Sequence, residues 1–321
     1  MTADDARVAN SFENLYEKNV LNTPVALLIF NRPELTARIF AEIRKARPAK
    51  LLVIADGPRA DQPGEKEKCL ATRAIVENPD WDCEVLKNYS DVNLGCGRRP
   101  ASGLDWVFQN VEDAIVLEDD CLPHPTFFRF CSELLKYYRD DNRVMTISGN
   151  NFQYGTKRTS ESYYFSRYPH TWGWATWRRA WQLYDFDVKI WPQLRETSWL
   201  LDTLGDRESV AYWRAMFDSL STTSDVWDYQ WIFSCWAQNG LAILPNVNLI
   251  SNIGWGNDAT HTKALDNPSA NLATEAMSFP LNHPQYLSVN READKFTFEN
   301  HFVGWTPKLY RRLRRRVLGR F

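Results

Sequence analysis

The feature that most constrains this chain is an alternation, over residues 24–141, of short apolar runs with segments of helical periodicity. The apolar runs have strand length, and each is followed by a segment whose apolar residues recur every three or four positions. Strands and helices that alternate in this way form parallel sheets flanked by helices, so we expect an α/β fold with a mostly parallel central sheet. The predicted strands are 24–30, 51–57, 83–90 and 114–120, and the predicted helices are 34–48, 64–79, 98–111 and 127–141.

Polar side chains follow three of the predicted strands. Asn31 and Arg32 come after the first strand, Asp56 ends the second, and Glu118, Asp119 and Asp120 end the fourth. In such sheets ligands bind beyond the carboxyl ends of the strands. We therefore expect these side chains to form one polar rim at which a ligand binds.

The three adjacent carboxylates Glu118, Asp119 and Asp120 repel one another, so a counter-charge is expected beside them. A divalent cation is one candidate. No His or Cys cluster lies near them in the sequence, and ligation by oxygen alone favours Mn²⁺ or Mg²⁺ held partly by waters and by substrate phosphates. The structural alternative is an acidic cluster on a solvated loop.

Several functional classes lose support. Neither GxxxxGK[ST] nor GxGxxG follows the first predicted strand, which argues against kinase-like and dinucleotide-binding proteins. A metal would then have to neutralise the phosphates of a bound nucleotide. Lys and Arg number 38 and Asp and Glu 40, a net charge of -2, so we do not expect a nucleic-acid-binding protein.

We expect a polar leader over residues 1–23, one domain over 24–305 and a basic tail over 306–321. Within the domain, residues 24–150 hold the regular alternation, whereas 151–305 are rich in loops and Trp. The scattered cysteines form no CxxC pair and the first twenty residues do not resemble a signal peptide, which predicts a cytoplasmic protein with reduced thiols. The apolar runs are too short to span a bilayer.

Several motifs in a fixed order resemble a known family. They are "IFNRPELTARIF", "IADGPR", "VLEDDCLPHPTFFRF", "ISGNN", "YPHTWGWATW", "VWDYQW" and "ISNIGWGNDATHT", spread over residues 24–265. This order is similar to that of GT-A nucleotide-sugar glycosyltransferases, and within them to the N-acetylglucosaminyltransferase I group of inverting enzymes and its bacterial relatives. The resemblance implies a Rossmann-like GT-A fold with residues 24–150 binding a nucleotide sugar and 151–305 forming the acceptor and catalytic half.

The resemblance also implies roles for single residues. Arg32 and Asp56 correspond to positions at the uracil pocket, and Asp120 to the acid that ligates manganese. Glu118 and Asp119 then lie nearer the ribose and the donor sugar.

In the second half, Asp228 corresponds to the catalytic base and His261 closes a loop that donor binding orders. An indole face can also cover the apolar face of a sugar ring, so Trp172 and Trp174 are candidate ligand contacts.

Each of these roles has a structural alternative. Asp56 could form a turn, Arg32 could be a surface charge at a helix start, and Asp228 could be a helix N-cap. In the last case Asp225 and Asp258 are the fallback bases. His261 could be an ordinary turn residue, and buried packing is the more common use of Trp.

The leading interpretation is an inverting, metal-dependent glycosyltransferase that moves a sugar from a UDP-sugar to a saccharide or lipid-linked glycan.

The basic residues of 308–321 are interleaved with apolar ones and predict contact with the anionic inner face of a membrane, the alternative being a solvated helix end. One alternative to the glycosyltransferase function is a sugar-1-phosphate nucleotidylyltransferase, although "FNRPELT" lacks the glycine-rich loop that such an enzyme would show. The second alternative is an inactive GT-A protein that binds glycans or membranes. The eukaryotic relatives differ at the acceptor side, so acceptor identity does not carry over.

Overall fold

The computed structural model describes residues 20–220, 225–255 and 267–303 of the 321-residue chain. The first part follows the predicted alternation. Its elements are β1 (Val25–Ile29), α1 (Pro33–Ala46), β2 (Lys50–Ala55), α2 (Glu65–Ile75), β3 (Glu84–Tyr89), α3 (Gly95–Asn110), β4 (Asp113–Glu118), β5 (Cys121–Pro123) and α4 (Thr126–Tyr137).

The second part contributes further strands, several short helices and a final π-helical turn. Its elements are β6 (Val144–Ser148), β7 (Tyr163–Ser166), β8 (Trp174–Trp177), α5 (Arg178–Trp181), α6 (Trp191–Leu194), α7 (Trp199–Leu204), α8 (Arg207–Leu220), α9 (Asp228–Ala237), β9 (Leu241–Pro245), β10 (Ile250–Asn252), α10 (Arg291–Thr297) and the turn Phe298–Val303. Within the described ranges, none of the helices combines the length and the apolar character needed to cross a membrane.

One eight-stranded sheet, in the order β3-β2-β1-β4-β8-β6-β9-β7, forms the centre of the fold. The strands β3, β2, β1 and β4 are parallel neighbours, and β9 is parallel to β6. Strand β8 runs antiparallel to both β4 and β6, and β7 runs antiparallel to β9. The predicted fold class is therefore confirmed as an α/β fold with a mostly parallel, Rossmann-like central sheet flanked by helices.

The central strands are apolar throughout because both faces of the sheet are covered. Alternate residues of β1 enter different clusters: Val25 and Leu27 pack with α1 and α4, whereas Ala26 and Leu28 pack with α3. A strand with a solvated face would alternate apolar with polar residues. Two covered faces thus explain the continuous apolar runs in the sequence.

Helix α3 begins at Gly95, earlier than the predicted start at residue 98. Leu94, its N-cap residue, has no side chain that could cap the helix. Asp56 supplies the missing acceptors from 38 positions away, accepting the Leu94 N–H at 2.9 Å and the Gly95 N–H at 3.0 Å. A cap provided by a distant segment extends the helix beyond its local signal.

The predicted strand 114–120 ends at Glu118, because the chain turns at Asp119 and Asp120. It then enters β5, which pairs antiparallel with β10 and aligns Cys121 with Asn252. This second, two-stranded sheet was not predicted from the sequence. The turn places Asp119 and Asp120 between the end of β4 and the β5–β10 ribbon.

Candidate functional site

The ends of β1 and β4 meet because the two strands are parallel neighbours, with Leu28 aligned to Glu118. The Arg32 guanidinium, just beyond β1, forms ion pairs with Asp119 through Nη2 and with Asp120 through Nη1, the latter at 3.0 Å. The Phe30 N–H also donates to the Asp119 carboxylate at 3.3 Å. The structure therefore brings together the Arg32, Glu118, Asp119 and Asp120 side chains, as the sequence predicted.

Arg32 is the counter-charge that the acidic triplet requires. Its side chain is 23% exposed, whereas those of Asp119 and Asp120 are 3% and 11% exposed. A buried carboxylate without a partner would be strongly unfavourable. The expectation of a nearby positive charge is thus met by a side chain of the chain itself.

Burial dominates the electrostatics of this cluster. It raises the pKa of the Glu118 carboxyl to about 8, with the charges on Asp120 and Asp119 adding to the rise. Burial also raises the pKa of Asp119 to about 6, although Arg32 acts to lower it. The cluster therefore favours additional positive charge at neutral pH.

The segment after β10 closes over Asp120. The Ile253 N–H donates to the Asp120 carbonyl at 2.8 Å, and the Asn252 side-chain amide lies 3.4 Å from Asp120 Oδ1. A Cβ atom on Gly254 would lie 2.3 Å from Asp120 Oδ2 and 2.8 Å from Arg32 Nη1. Only glycine leaves enough room at position 254 for the carboxylate and the guanidinium beneath it.

The donor chemistry of the cluster suits a hard cation held in part by a bound substrate. Across the described ranges, no three or more His, Cys, Asp or Glu side chains form a group that could hold a metal by themselves. Asp120, beside the Asn252 amide, presents oxygen ligands that Mn²⁺ and Mg²⁺ accept. Mg²⁺ commonly uses one or two carboxylates together with substrate phosphates, and these residues fit that pattern.

Asp228 lies within electrostatic range of this cluster. Its charge is among the causes that raise the pKa of Glu118, after burial and the two neighbouring acids. Trp227 occupies the N-cap position of α9, so Asp228 is the first helical residue, and its Oδ1 accepts the Tyr229 N–H at 3.0 Å. The helix dipole favours a carboxylate there. The structure thus places Asp228 at the start of α9, near enough for its charge to act on Glu118.

Asp56 lies at the end of β2 with its acceptor positions occupied by the chain. Besides Leu94 and Gly95, the Gly57 N–H donates to Asp56 at 2.9 Å and the Asn93 side chain at 3.1 Å. Burial raises its pKa and these backbone donors oppose the rise. Asp56 fixes the loop before α3, and a contact with uracil would require its oxygens to accept a further hydrogen bond beside those from these donors.

Trp174 lies in the core, contrary to the expectation that it contacts a ligand. It is fully buried in β8, and its ring lies 5.7 Å from the rings of both Trp227 and Trp231 and 6.1 Å from that of Trp181. We call these four residues the Trp cluster. Because Trp227 immediately precedes Asp228, the Trp cluster fixes the start of α9.

Trp172 is partly exposed and belongs to a different group. Its ring meets the Phe152 ring edge-on at 4.9 Å, and those of Trp255 and His301 at 6.1 Å. We call these four residues the aromatic wall. Trp255 follows Gly254, so the aromatic wall adjoins the acidic cluster.

The remaining predicted residues fall in different places. His261, Asp258 and the basic tail lie outside the described residues. Asp225 is exposed, and its carbonyl accepts the Cys96 thiol at 2.9 Å.

Sequence reasoning missed Glu65, a carboxylate only 4% exposed. Its Oε1 accepts the Asn31 amide at 2.8 Å and its Oε2 the Arg59 N–H at 2.6 Å. Glu65 therefore joins the loops that follow β1 and β2. Its only local signal was its position in the first turn of α2.

Sequence reasoning also missed two histidines, His301 within the aromatic wall and His170 packed against it. Burial lowers the pKa of His170 well below its usual range and that of His301 to about 3. The His301 ring stacks on Phe152 at 3.5 Å. The aromatic neighbours of His170 in "YPHTWGW" were the available signal.

No family model and no curated protein matches this sequence. The solved structures that resemble it include a UDP-glucose pyrophosphorylase complexed with UDP-glucose, at 10% identity and a TM-score of 0.33, covering 70% of this chain and 90% of that one. Another is a 4-diphosphocytidyl-2C-methyl-D-erythritol synthase from Anaerococcus prevotii, at 9% identity and a TM-score of 0.30, covering 50% of this chain and 74% of that one. At these TM-scores function has to be argued from the site itself.

Proposed function

We propose that this chain is an inverting, metal-dependent glycosyltransferase that moves a sugar from a UDP-sugar to a saccharide or lipid-linked glycan acceptor. The observation that supports it most is the grouping of Arg32 with the triplet Glu118–Asp120 at the carboxyl ends of β1 and β4, with the charge of Asp228, at the start of α9, acting on Glu118. Such a group combines a place for a cation-bound diphosphate with a separate carboxylate that can accept a proton.

The reaction is a single displacement. The acceptor hydroxyl oxygen forms a bond to the anomeric carbon while the bond from that carbon to the diphosphate oxygen breaks. The electron pair of the broken bond remains on UDP, and the hydroxyl proton passes to the Asp228 carboxylate. Attack on the face opposite the leaving group inverts the anomeric centre.

Asp120 would hold the cation, with Asn252 beside it. A bound Mn²⁺ or Mg²⁺ supplies positive charge that stabilises the departing diphosphate. Glu118 and Asp119 would lie nearer the ribose and the donor sugar, Arg32 and Asp56 nearer the uracil, and His261 in the loop that closes over the donor.

The aromatic wall is the proposed acceptor side. Trp172 is its partly exposed member, and an indole face can cover the apolar face of a pyranose. A cytoplasmic location and contact of residues 308–321 with an anionic membrane remain part of the proposal on sequence grounds.

The proposal is tested by incubating the protein with a panel of UDP-sugars and Mn²⁺, with and without saccharide acceptors. Release of UDP that increases with acceptor, and that is lost in Asp228→Asn, is the expected result. Formation of UTP when pyrophosphate is added would instead identify a nucleotidylyltransferase. UDP binding without either product would identify an inactive binding protein.

A further inference from the structure

The Arg32 guanidinium lies where a cation bound to Asp120 would place its charge. Its Nη1 is 3.0 Å from Asp120 Oδ2, and its Nη2 is paired with Asp119. A cation that approaches Oδ2 therefore meets a positive group already in contact with that oxygen.

The surroundings of Asp120 restrict the space for both groups. On Oδ1, the Asn252 amide and the Cys121 thiol both lie at 3.4 Å. On Oδ2, the Gly254 backbone is so close that even a Cβ atom there would lie 2.3 Å from Oδ2 and 2.8 Å from Arg32 Nη1. A hydrated cation and the guanidinium cannot both contact Oδ2 in this arrangement.

We propose that Arg32 is a positioning residue whose ion pair with Asp120 is replaced by the cation. Arg32 pairs with Asp120 in the absence of a cation and leaves Asp120 when Mn²⁺ or Mg²⁺ binds. This inference rests on the proposed function, because it takes Asp120 as the cation ligand. Breaking a charge-assisted hydrogen bond opposes cation binding. The chain therefore binds the free cation more weakly than its carboxylates alone would allow.

The exchange also links the cation to the nucleotide. The Nη1 group released from Asp120 becomes available to donate to an oxygen of the bound nucleotide, while Nη2 stays paired with Asp119. Cation and UDP should then each strengthen the binding of the other.

The test is Mn²⁺ binding measured by calorimetry without nucleotide, in the double variant Arg32→Gln, Asp119→Asn. The double variant removes one positive and one negative charge, so the formal charge of the cluster does not change. The amide oxygen introduced at position 119 can still accept the Phe30 N–H. We expect Mn²⁺ to bind at least about tenfold more tightly than to the wild type, from the usual strength of a charge-assisted hydrogen bond. Adding Asp120→Asn should abolish the gain.

Arg44→Gln is the matched control, because Arg44 forms an exposed ion pair with Asp80, and its Mn²⁺ affinity should equal that of the wild type. Equal or weaker Mn²⁺ binding by the folded double variant would overturn the inference. If the double variant does not fold, Arg32→Lys is the substitute, since an ammonium group cannot reproduce the two separate guanidinium contacts with Asp119 and Asp120. It should show a smaller gain in Mn²⁺ affinity, and no gain would also overturn the inference. The UDP-sugar assay reports separately on the proposed function, since the gain in Mn²⁺ affinity requires no turnover.

Discussion

At the residue scale, Asp119 and Asp228 carry the same carboxyl group but lie in different surroundings. Asp119 is buried and ion-paired with Arg32, whereas Asp228 begins α9 and accepts a backbone N–H. The Arg32 guanidinium occupies the Asp119 carboxylate and so limits its contact with an acceptor hydroxyl. We therefore propose Asp228 as the base and Asp119 as the structural anchor for Arg32.

Replacing Asp228 by Asn should lower the transfer rate by about a hundredfold to ten-thousandfold, the usual contribution of a positioned base. The amide can still accept the Tyr229 N–H, so the melting temperature and UDP affinity should change little. Rates at saturating acceptor, melting temperature and UDP affinity are the measurements. Asp225→Asn, at an exposed neighbouring position, is the control, and normal turnover in Asp228→Asn would move the base elsewhere.

At the element scale, the start of α9 depends on the Trp cluster. Trp174 packs on Trp227 and Trp231, which flank the first turn of the helix. The Tyr184 hydroxyl also donates to the Trp227 carbonyl at 3.1 Å. Packing from β8 thus determines where Asp228 lies relative to the carboxyl end of β4.

Trp174→Ala should lower the free energy of unfolding by about 3–5 kcal/mol, as usual when a buried aromatic is deleted. Trp172→Ala is the comparison, since Trp172 is partly exposed and belongs to the aromatic wall. Trp172→Ala should lower the free energy of unfolding by less than Trp174→Ala does. It should mainly weaken acceptor binding, which raises the KM for acceptor. Denaturant melts and acceptor kinetics of both variants would test this, and equal stability losses would contradict the assignment of the two Trp residues to different roles.

Trp172 and Trp174 also show what could not be predicted from the sequence. Trp172 and Trp174 are two positions apart, a spacing that shares a face in a continuous strand. Gly173 has φ +61, which turns the chain before β8 begins. A side chain there would also press on Ile250, a contact that no local pattern reveals.

The parts of the fold and site that could be predicted from the sequence are those that depend on local sequence patterns. Apolar runs followed by helical periodicity identified the first four central strands, and their carboxyl ends identified Arg32 and the triplet Glu118–Asp120. The cap that Asp56 gives to α3 and the closure of Gly254 over Asp120 join segments far apart in the chain. Such contacts depend on tertiary packing, so they could not be predicted from local sequence.

At the scale of the whole molecule, one sheet contains strands from both the regular first part and the Trp-rich second part of the chain. His301 belongs to the aromatic wall, and the buried His170 packs against its Phe152. Burial favours their neutral forms. The stability of the fold should therefore depend on pH through this region.

The pKa of His301 is about 3 in the fold against its ordinary 6.5, so between these values the unfolded chain binds more protons. Its contribution to stability is present above pH 6.5 and is lost as the pH falls. The variant His301→Phe keeps an aromatic ring but cannot titrate. Between pH 7 and pH 5 the wild type should lose about 2 kcal/mol more than this variant, by proton linkage. Denaturant melts at both pH values measure the difference, and parallel losses would show that His301 is not buried in its neutral form.

The central claim, that a cation-bound UDP occupies the site around Asp120, is tested most directly by calorimetry of UDP binding with and without Mn²⁺. We predict that the wild type binds UDP and binds it more tightly with Mn²⁺, and that Asp120→Asn remains folded but no longer responds to Mn²⁺. Absence of UDP binding under both conditions, or an unchanged Mn²⁺ response in Asp120→Asn, would contradict it.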